Sequence, residues 1–324
     1  MAIFRNTISK ITMNQFKIDT QQGLTSTPKF LFSKYFYDEI GDKLFVDIMN
    51  MPEYYLTRTE MEIFKDKTTE LIHSFDLNNE PFELIELGAG DGTKTIHLLR
   101  ELLERSFDFQ YKPIDISQNS LDKLSHYLKI ELEDLSFFPL NGMYFQVLEK
   151  LHHVKKRKII LFLGSNLGNL LDEQASDFLS KLSASMNPND VLVLGLDLIK
   201  SKEIVLPAYN DKSGITAAFN LNVLTRINKE FKANFNLDKF RHAPEYNEET
   251  GVATSYIESL DAQAVFIEDW NQTIHFEKGE KIHTEISRKY NISILEKLIS
   301  KTDLKLIHSI MDEKGYFADF ILKK

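Results

Sequence analysis

Apolar residues in the middle of this chain fall into short blocks separated by stretches of helical period. Leu84, Ile85 and Leu87 form one block, which runs straight into glycines at 88, 90 and 92 and then into a helix-like run, all within Pro81–Leu99 (PFELIELGAGDGTKTIHLL). Phe107–Ile116 (FDFQYKPIDI) reads as a second strand, and Leu121, Leu124 and Leu128 follow at helical spacing in a segment reaching about residue 134. FFPLNGMYFQVLEKLHH, residues 137–153, predicts a short strand and another helix. Lys158–Leu163 (KIILFL) is the continuous apolar strand of a sheet covered on both faces. Glu173–Ser185 reads as a helix and Val191–Asp197 (VLVLGLD) as a further buried strand. Strands alternating with helices predict an α/β chain with a doubly wound, mainly parallel sheet.

From about residue 199 the pattern changes. Residues 214–231 are helix-like, and 252–287 alternate at period two, as a run of antiparallel strands does. Leu304–Leu322 reads as a strand, a turn at Glu313-Lys314-Gly315 and a return strand. We therefore expect a sheet domain over residues 62–198 and 288–324, with a smaller α+β lobe over 15–61 and 199–287. Within the lobe, Lys281–Ser287 (KIHTEIS) should turn Ile282, Thr284 and Ile286 to one face and Lys281, His283, Glu285 and Ser287 to the other. Thr273–Phe276 is expected to pair with this strand through a turn at 277–280.

Charge and composition narrow the function. The net charge of −9 opposes nucleic-acid binding, which needs a basic face. The one basic cluster, Lys155–Lys158 (KKRK), precedes a buried strand and reads as a solvated turn. Cysteine is absent, which removes disulfides, a thiolate nucleophile and cysteine zinc sites. His152 and His153 are adjacent while His242, His275 and His283 lie in separate segments, so no metal site is expected. The first residues lack the apolar core of a signal peptide, and Ile159–Leu163 is too short to span a bilayer. A cytoplasmic monomer without a membrane partner is expected.

The strand, glycine turn and helix at 84–99 make a nucleotide-type cradle. A dinucleotide fingerprint is G-x-G-x-x-G with a pyrophosphate on the helix amino-terminus. Here the third glycine comes one residue early, and the acids Glu86 and Asp91 flank the turn. Carboxylates repel a pyrophosphate in a partly dry site but tolerate S-adenosylmethionine, a sulfonium without phosphates. An ordinary tight turn is the alternative reading. Asp115, at the end of the second strand and about twenty residues past the glycines, is placed to accept from both hydroxyls of a ribose. It could equally cap the helix that follows. A terminal antiparallel strand pair completing a parallel sheet is typical of the methyl-transfer version of this architecture.

Glu285 and Ser287 side by side could hold a flat donor such as an imidazole, or could be the solvated face of a hairpin. Tyr37, Tyr54 and Tyr55, in an aromatic-rich stretch, are candidates for a pocket wall.

Seven segments, KYFYDEIGDKLFVDI, MPEYYLTRTEMEI, ELGAGDGTKT, IDIS, LFLGSNLGNL, AYNDKSGITAAFNLNVLTRIN and IHTEISRKY, together resemble the histidine-specific N-alpha-methyltransferase family of ergothioneine biosynthesis, which includes relatives acting on indole amino acids. The resemblance covers nearly the whole chain. It implies a class I S-adenosylmethionine-dependent methyltransferase fold and stepwise methylation of the α-amine of a free amino acid, L-histidine, to its trimethyl betaine, hercynine. The same chemistry on an indole or other aromatic amino acid, or a non-catalytic cofactor-binding protein, are the alternatives. By the same resemblance Tyr54, Gly88, Gly90, Lys94 and Asp115 lie on the cofactor side, with Gly142, Met143 and Tyr144 at the adenine, where Met143 replaces the usual acid. Asn169 and Tyr209 would clamp the substrate's carboxylate and amine, with Gly164 and Tyr37 nearby. Tyr37, Tyr54 and Asn169 would orient the reacting amine, and Glu285 and Ser287 would read the imidazole. Ser255 stands where many relatives carry a methionine lining the substrate ring, which implies a larger or more polar pocket.

Overall fold

The computed structural model describes residues 2–78, 80–152 and 155–324. The chain divides into two compact units, residues 55–199 with 288–324 and residues 1–54 with 200–287. Elements are numbered in chain order.

The first unit holds a seven-stranded sheet. Its strands are β1 (Phe82–Leu87), β2 (Phe109–Asp115), β3 (Leu140–Asn141), β4 (Arg157–Phe162), β5 (Val191–Asp197), β12 (Lys305–Met311) and β13 (Phe317–Lys323), in the order β12-β13-β5-β4-β1-β2-β3. The five strands β1 to β5 run parallel, and β13 enters antiparallel between β5 and β12. Every residue of β1 and β5 is buried, which is why these segments read as continuous apolar runs. Alternate residues feed two cores: Leu84, Ile159 and Val193 on one face, Ile85, Leu87 and Ile160 on the other. Helices α3 (Leu56–Asp66), α4 (Thr68–Ser74), α5 (Thr95–Glu104), α6 (Gln118–Glu131), α7 (Tyr144–His152), α8 (Asp172–Ser185) and α11 (Ile292–Ile299) complete the layers. The sequence order reverses between β1 and β4, so the carboxyl ends of β1, β2 and β4 meet at a topological switch point, where open α/β sheets bind ligands. At the β12–β13 turn the Asp312 carboxylate accepts from the amides of Lys314, Tyr316 and Phe317, fixing the return strand.

The second unit contains α1 (Ala2–Thr25), α2 (Glu39–Asn50), α9 (Lys202–Tyr209) and α10 (Ile215–Phe231). A small sheet orders β11 (Lys281–Arg288), β8 (Val252–Ser259) and β6 (Phe240–His242), with β7 (Glu245–Asn247) also on β8. Strands β9 (Gln263–Ile267) and β10 (Gln272–Phe276) form a separate antiparallel pair. Phe219, Val223 and Ile227 of α10 pack with Ile257 and Ile282 of the sheet. The α2 helix starts at Asp38, whose Oδ1 accepts from the amides of Ile40 and Gly41 and from Asn222 Nδ2 of α10.

Four expectations need correction. Residues 55–61, read with the lobe, belong to the sheet unit, because α3 buries Leu56, Glu60, Ile63 and Phe64 there. Strand β10 pairs with β9 rather than β11, since Gly279 and Glu280 already hydrogen-bond across to Ser259 at the end of β8. The alternation along β11 is not strict: Ile282, Thr284 and Ser287 are buried while Glu285 and Ile286 are both half-buried, so the pattern slips by one residue. The basic cluster at 155–158 is not wholly solvated. The Arg157 guanidinium binds the carbonyls of Phe75, Asp76 and Asn189, and Lys158 is buried against Asp190. The helix expected to reach His153 is described to His152, and His153 lies outside the described residues. No helix among the described residues is long and apolar enough to cross a membrane.

Candidate active site

In the sheet unit, β1 ends in three glycines with left-handed backbone, Gly88 (φ 76), Gly90 (φ 58) and Gly92 (φ 73). A side chain at 88 would put its Cβ 2.6 Å from the Tyr144 hydroxyl, whereas at 90 it would meet nothing within 4 Å. The acids beside the turn are engaged in ways the sequence did not show. Glu86 is buried, accepting from Thr95 Oγ1 at 2.8 Å and from the Tyr111 hydroxyl. Burial pushes its carboxyl up to about 7, against the pull of Tyr111, Lys94 and Thr95. Asp91 folds onto Thr93, accepting from its amide and hydroxyl. Glu86 is therefore enclosed by the sheet unit's own side chains rather than presented to a ligand.

Asp115 occupies the end of β2, half-buried, with Oδ1 accepting from the Ser117 amide at 2.7 Å. The cap of α6 is Ser117, whose Oγ accepts from the Ser120 amide, so the capping alternative for Asp115 falls away. Gly142 donates its amide to the Asp115 carbonyl at 3.0 Å, and Tyr144 opens α7. Burial, then the carboxylates of Asp115 and Glu86, push the Tyr144 hydroxyl up to about 12. Met143 is 61% exposed beside it. Glycine amides, one acid and a tyrosine hydroxyl thus line this end of the sheet.

Lys94 is bound to Glu60 of α3. The Glu60 carboxylate also accepts the Gly164 amide, at 2.9 and 3.0 Å. Glu60 therefore joins the start of α5 to the turn after β4, which runs through Ser165 to Asn169. That turn is left-handed at Gly164 (φ 73) and Ser165 (φ 55), and Asn169 is exposed at its end. Lys94, the basic residue nearest the glycines in sequence, is thus already ion-paired. The set suits S-adenosylmethionine: an acid for a ribose, open space over Gly90, and no cluster of bases for phosphate.

The lobe places Tyr37, Tyr209, Ser255, Glu285 and Ser287 in one unit. The Tyr209 hydroxyl donates to Ser287 Oγ at 2.8 Å, and the Tyr209 carbonyl accepts from His242 Nε2 at 2.8 Å. Burial holds His242 below the usual histidine range. Tyr37 is 43% exposed and packs edge-on against Phe45 and Phe219, and partial desolvation followed by the Glu285 and Asp42 carboxylates raises its hydroxyl above the ordinary tyrosine range. Thr284 Oγ1 donates to the Ser255 carbonyl at 2.9 Å and lies 3.1 Å from Asn220 Oδ1. Ser255 is itself buried, in phase with Ala253 and Ile257 on β8. Tyr54, also of this unit, is half-buried against the same apolar core. Asn169 and Gly164 belong to the sheet unit.

Three engaged groups escaped the sequence reading. Glu60 sits on the buried stripe of α3 with Leu56, Ile63 and Phe64, and a carboxylate in such a stripe is a detectable signal. Asp197 ends a fully buried strand, a position shared with Asp115 at the same sheet edge. Lys289 carries no comparable mark. Among the described residues no three His, Asp or Glu side chains are grouped as metal ligands.

The reversed strand order with an antiparallel β13, together with a glycine cradle unsuited to pyrophosphate, defines a class I S-adenosylmethionine-dependent methyltransferase. Histidine N-alpha-methyltransferase of Mycolicibacterium smegmatis is 33% identical over 300 residues, covering 93% of this chain and 92% of that protein. The protein of the same name from Mycobacterium tuberculosis is 33% identical over 300 residues, with the same coverage. Ergothioneine biosynthesis protein 1 of Schizosaccharomyces pombe is 26% identical over 295 residues, 89% of this chain and 38% of that longer protein. Residues 16–324 match the histidine-specific, S-adenosylmethionine-dependent methyltransferases, and the chain belongs to that family.

Proposed function

We propose that this chain methylates the α-amine of free L-histidine, stepwise to the trimethylammonium betaine, hercynine, as in ergothioneine biosynthesis. The observation that carries the reading is the Tyr209–Ser287 hydrogen bond on the strand that also bears Glu285, with the Tyr37 hydroxyl under the influence of that carboxylate. In this reading Glu285 accepts from an imidazole N–H and Ser287 meets the ring beside it. A phenyl ring offers that carboxylate no N–H to accept from, so the hydrogen bond that favours an imidazole, about 1–3 kcal/mol for a charged acceptor, is absent. Tyr209 and Asn169 are assigned to the substrate's carboxylate and amine, with Gly164 nearby and Ser255 bordering the ring.

When bound, S-adenosylmethionine supplies a methyl carbon on a sulfonium that departs as a neutral thioether. Asp115 would hold its ribose, Gly88 and Gly90 would admit its backbone approach, and Gly142, Met143 and Tyr144 would border the adenine. Lys94 enters this assignment together with its partner Glu60, at the amino-acid end. The rest of the work is positional. A free α-amine is mostly protonated at neutral pH, so a proton leaves to water before each transfer, and Tyr37, Tyr54 and Asn169 orient the neutral lone pair.

The test is mass spectrometry of L-histidine and L-tryptophan, each incubated with the protein and S-adenosylmethionine. Gain of one, two and three methyl groups on histidine is expected, with tryptophan unchanged. Transfer to tryptophan alone would move the reading to an indole substrate, for which the small Ser255 is the relevant residue. Cofactor binding without transfer to either would make the chain a sensor. Size-exclusion chromatography checks the monomer that accompanies this reading.

A further inference from the structure

The chain passes between its two units after Tyr54, Ile199 and Ser287. Within three residues of each crossing lies one member of a single buried network in the sheet unit. Asp197 and Lys289 are both fully buried, with Nζ 2.8 Å from Oδ2. The Tyr55 hydroxyl donates to the same carboxylate, 2.9 Å from Oδ2 and 3.1 Å from Oδ1. The backbone repeats the arrangement: Tyr290 donates its amide to the Asp197 carbonyl, and Ile199 donates to that of Tyr290, each at 2.8 Å. The Asp197 amide donates to Ser165 Oγ at 3.0 Å, while Ser165 donates its own amide to the Gly195 carbonyl. One carboxylate residue thus fixes the segments following Tyr54 and Ser287, the segment preceding Ile199, and the turn that ends at Asn169.

Stability alone is a poor reason for this arrangement. A buried ion pair can often be replaced by apolar side chains at no cost, because desolvation offsets most of the attraction. The sheet unit also contains a second buried pair, Lys158–Asp190, at the amino ends of β4 and β5. That pair lies at the opposite end of β5 from Asp197. The two pairs share a unit and a chemistry and differ in what they hold.

We propose that Asp197, with Tyr55 and Lys289, is a positioning residue for substrate binding. It acts through the neighbours it fixes along the chain: Tyr54 precedes Tyr55, Ser287 lies two residues before Lys289, and Asn169 ends the turn held by Ser165. The proposal rests on the assignment of those three residues to the substrate.

Tyr55→Phe removes one hydroxyl and keeps the ion pair. Asp197→Asn/Lys289→Met removes both charges together, and Asp190→Asn/Lys158→Met is the matched control. For each, histidine KM and kcat, the affinity for S-adenosylhomocysteine and the melting temperature are measured. Tyr55→Phe should raise histidine KM about tenfold, with S-adenosylhomocysteine affinity held within about twofold. The Asp197/Lys289 variant should raise it further, and the control should leave KM unchanged whatever its melting temperature. Unchanged histidine KM in Tyr55→Phe overturns the proposal, as does a parallel loss of both affinities, which marks a purely structural role. If the double variants do not fold, Tyr55→Phe decides alone. Failure of the substrate assignment is a separate result, read from wild-type enzyme that does not methylate histidine.

Discussion

The hydroxyl of Tyr144 stands where a side chain at Gly88 would begin: a Cβ there would lie only 2.6 Å from it, at a backbone φ of 76. Gly88 follows β1 and Tyr144 opens α7, so the glycine is needed for a close approach as well as for its turn. Gly88→Ala therefore meets a steric conflict plus a left-handed penalty of about 1–2 kcal/mol. Gly90→Ala carries a comparable backbone penalty but finds open space. We expect Gly88→Ala to lower the melting temperature by several degrees more than Gly90→Ala, with both losing at least about tenfold in S-adenosylhomocysteine affinity. Calorimetry of the two variants checks this. Equal stability losses would show that Tyr144 moves aside freely.

Glu285 supplies the second prediction. It is half-buried on β11, and after desolvation its charge contributes to raising the Tyr37 hydroxyl. Glu285→Ala should raise histidine KM by about one to two orders of magnitude while leaving cofactor affinity unchanged, the loss expected when a charged hydrogen-bond partner of a substrate is removed. Steady-state kinetics with histidine as the varied substrate decides it. Wild-type efficiency in this variant would end the imidazole assignment.

The sheet was legible because its strands are buried on both faces and its glycines follow the end of β1; the position of Asp115 at the end of β2 was legible from the strand pattern. The lobe was less so. A period-two pattern reveals that residues are strands but not which strands pair, and Gly279 and Glu280 bonding to Ser259 is a long-range choice that no local pattern records. The slip along β11 is invisible for the same reason: it shows only in the burial of Ser287, which the Tyr209 hydroxyl meets from seventy-eight residues away in sequence. Glu86 was located correctly, but its role was misread. A charge in sequence says nothing of whether Tyr111 and Thr95 will enclose it.

That enclosure has a pH consequence. Burial raises the Glu86 carboxyl to about 7 from an ordinary value of 4.5, so the folded chain holds a proton that the unfolded chain releases. Its contribution to stability is complete below about pH 4.5 and is lost as pH rises through about 7. Glu86→Gln cannot ionise and escapes this loss. Relative to wild type, its melting temperature should therefore rise between pH 5 and pH 8, whatever the fixed cost of replacing the acceptor of Tyr111 and Thr95. Thermal denaturation at the two pH values measures the difference. A constant offset would mean that Glu86 is charged throughout.

Asp319 makes the same argument with a sharper control. It is fully buried on β13, and neither carboxyl oxygen has a hydrogen-bond partner among the described residues. Gly195 lies between it and Glu60: a Cβ at 195 would sit 3.0 Å from Asp319 Oδ1 and closer still to Glu60 Oε1. Burial and then the Glu60 charge raise the Asp319 carboxyl well above its ordinary range, and Lys94, already paired with Glu60, only partly offsets this. Two carboxyls facing one lysine in a dry site cannot both carry charge at little cost. Protonation of Asp319 is accordingly favoured in the folded chain, and a raised carboxyl of this kind loses its stabilising contribution as pH rises. Asp319→Asn keeps shape and neutrality, so its melting temperature should approach that of wild type at pH 5 and equal or exceed it at pH 8. Gly195→Ala tests the geometry independently, because its added methyl would strike the Glu60 carboxylate and should destabilise at every pH. A loss in Asp319→Asn that is the same at both pH values would show that Asp319 carries its charge in the folded chain.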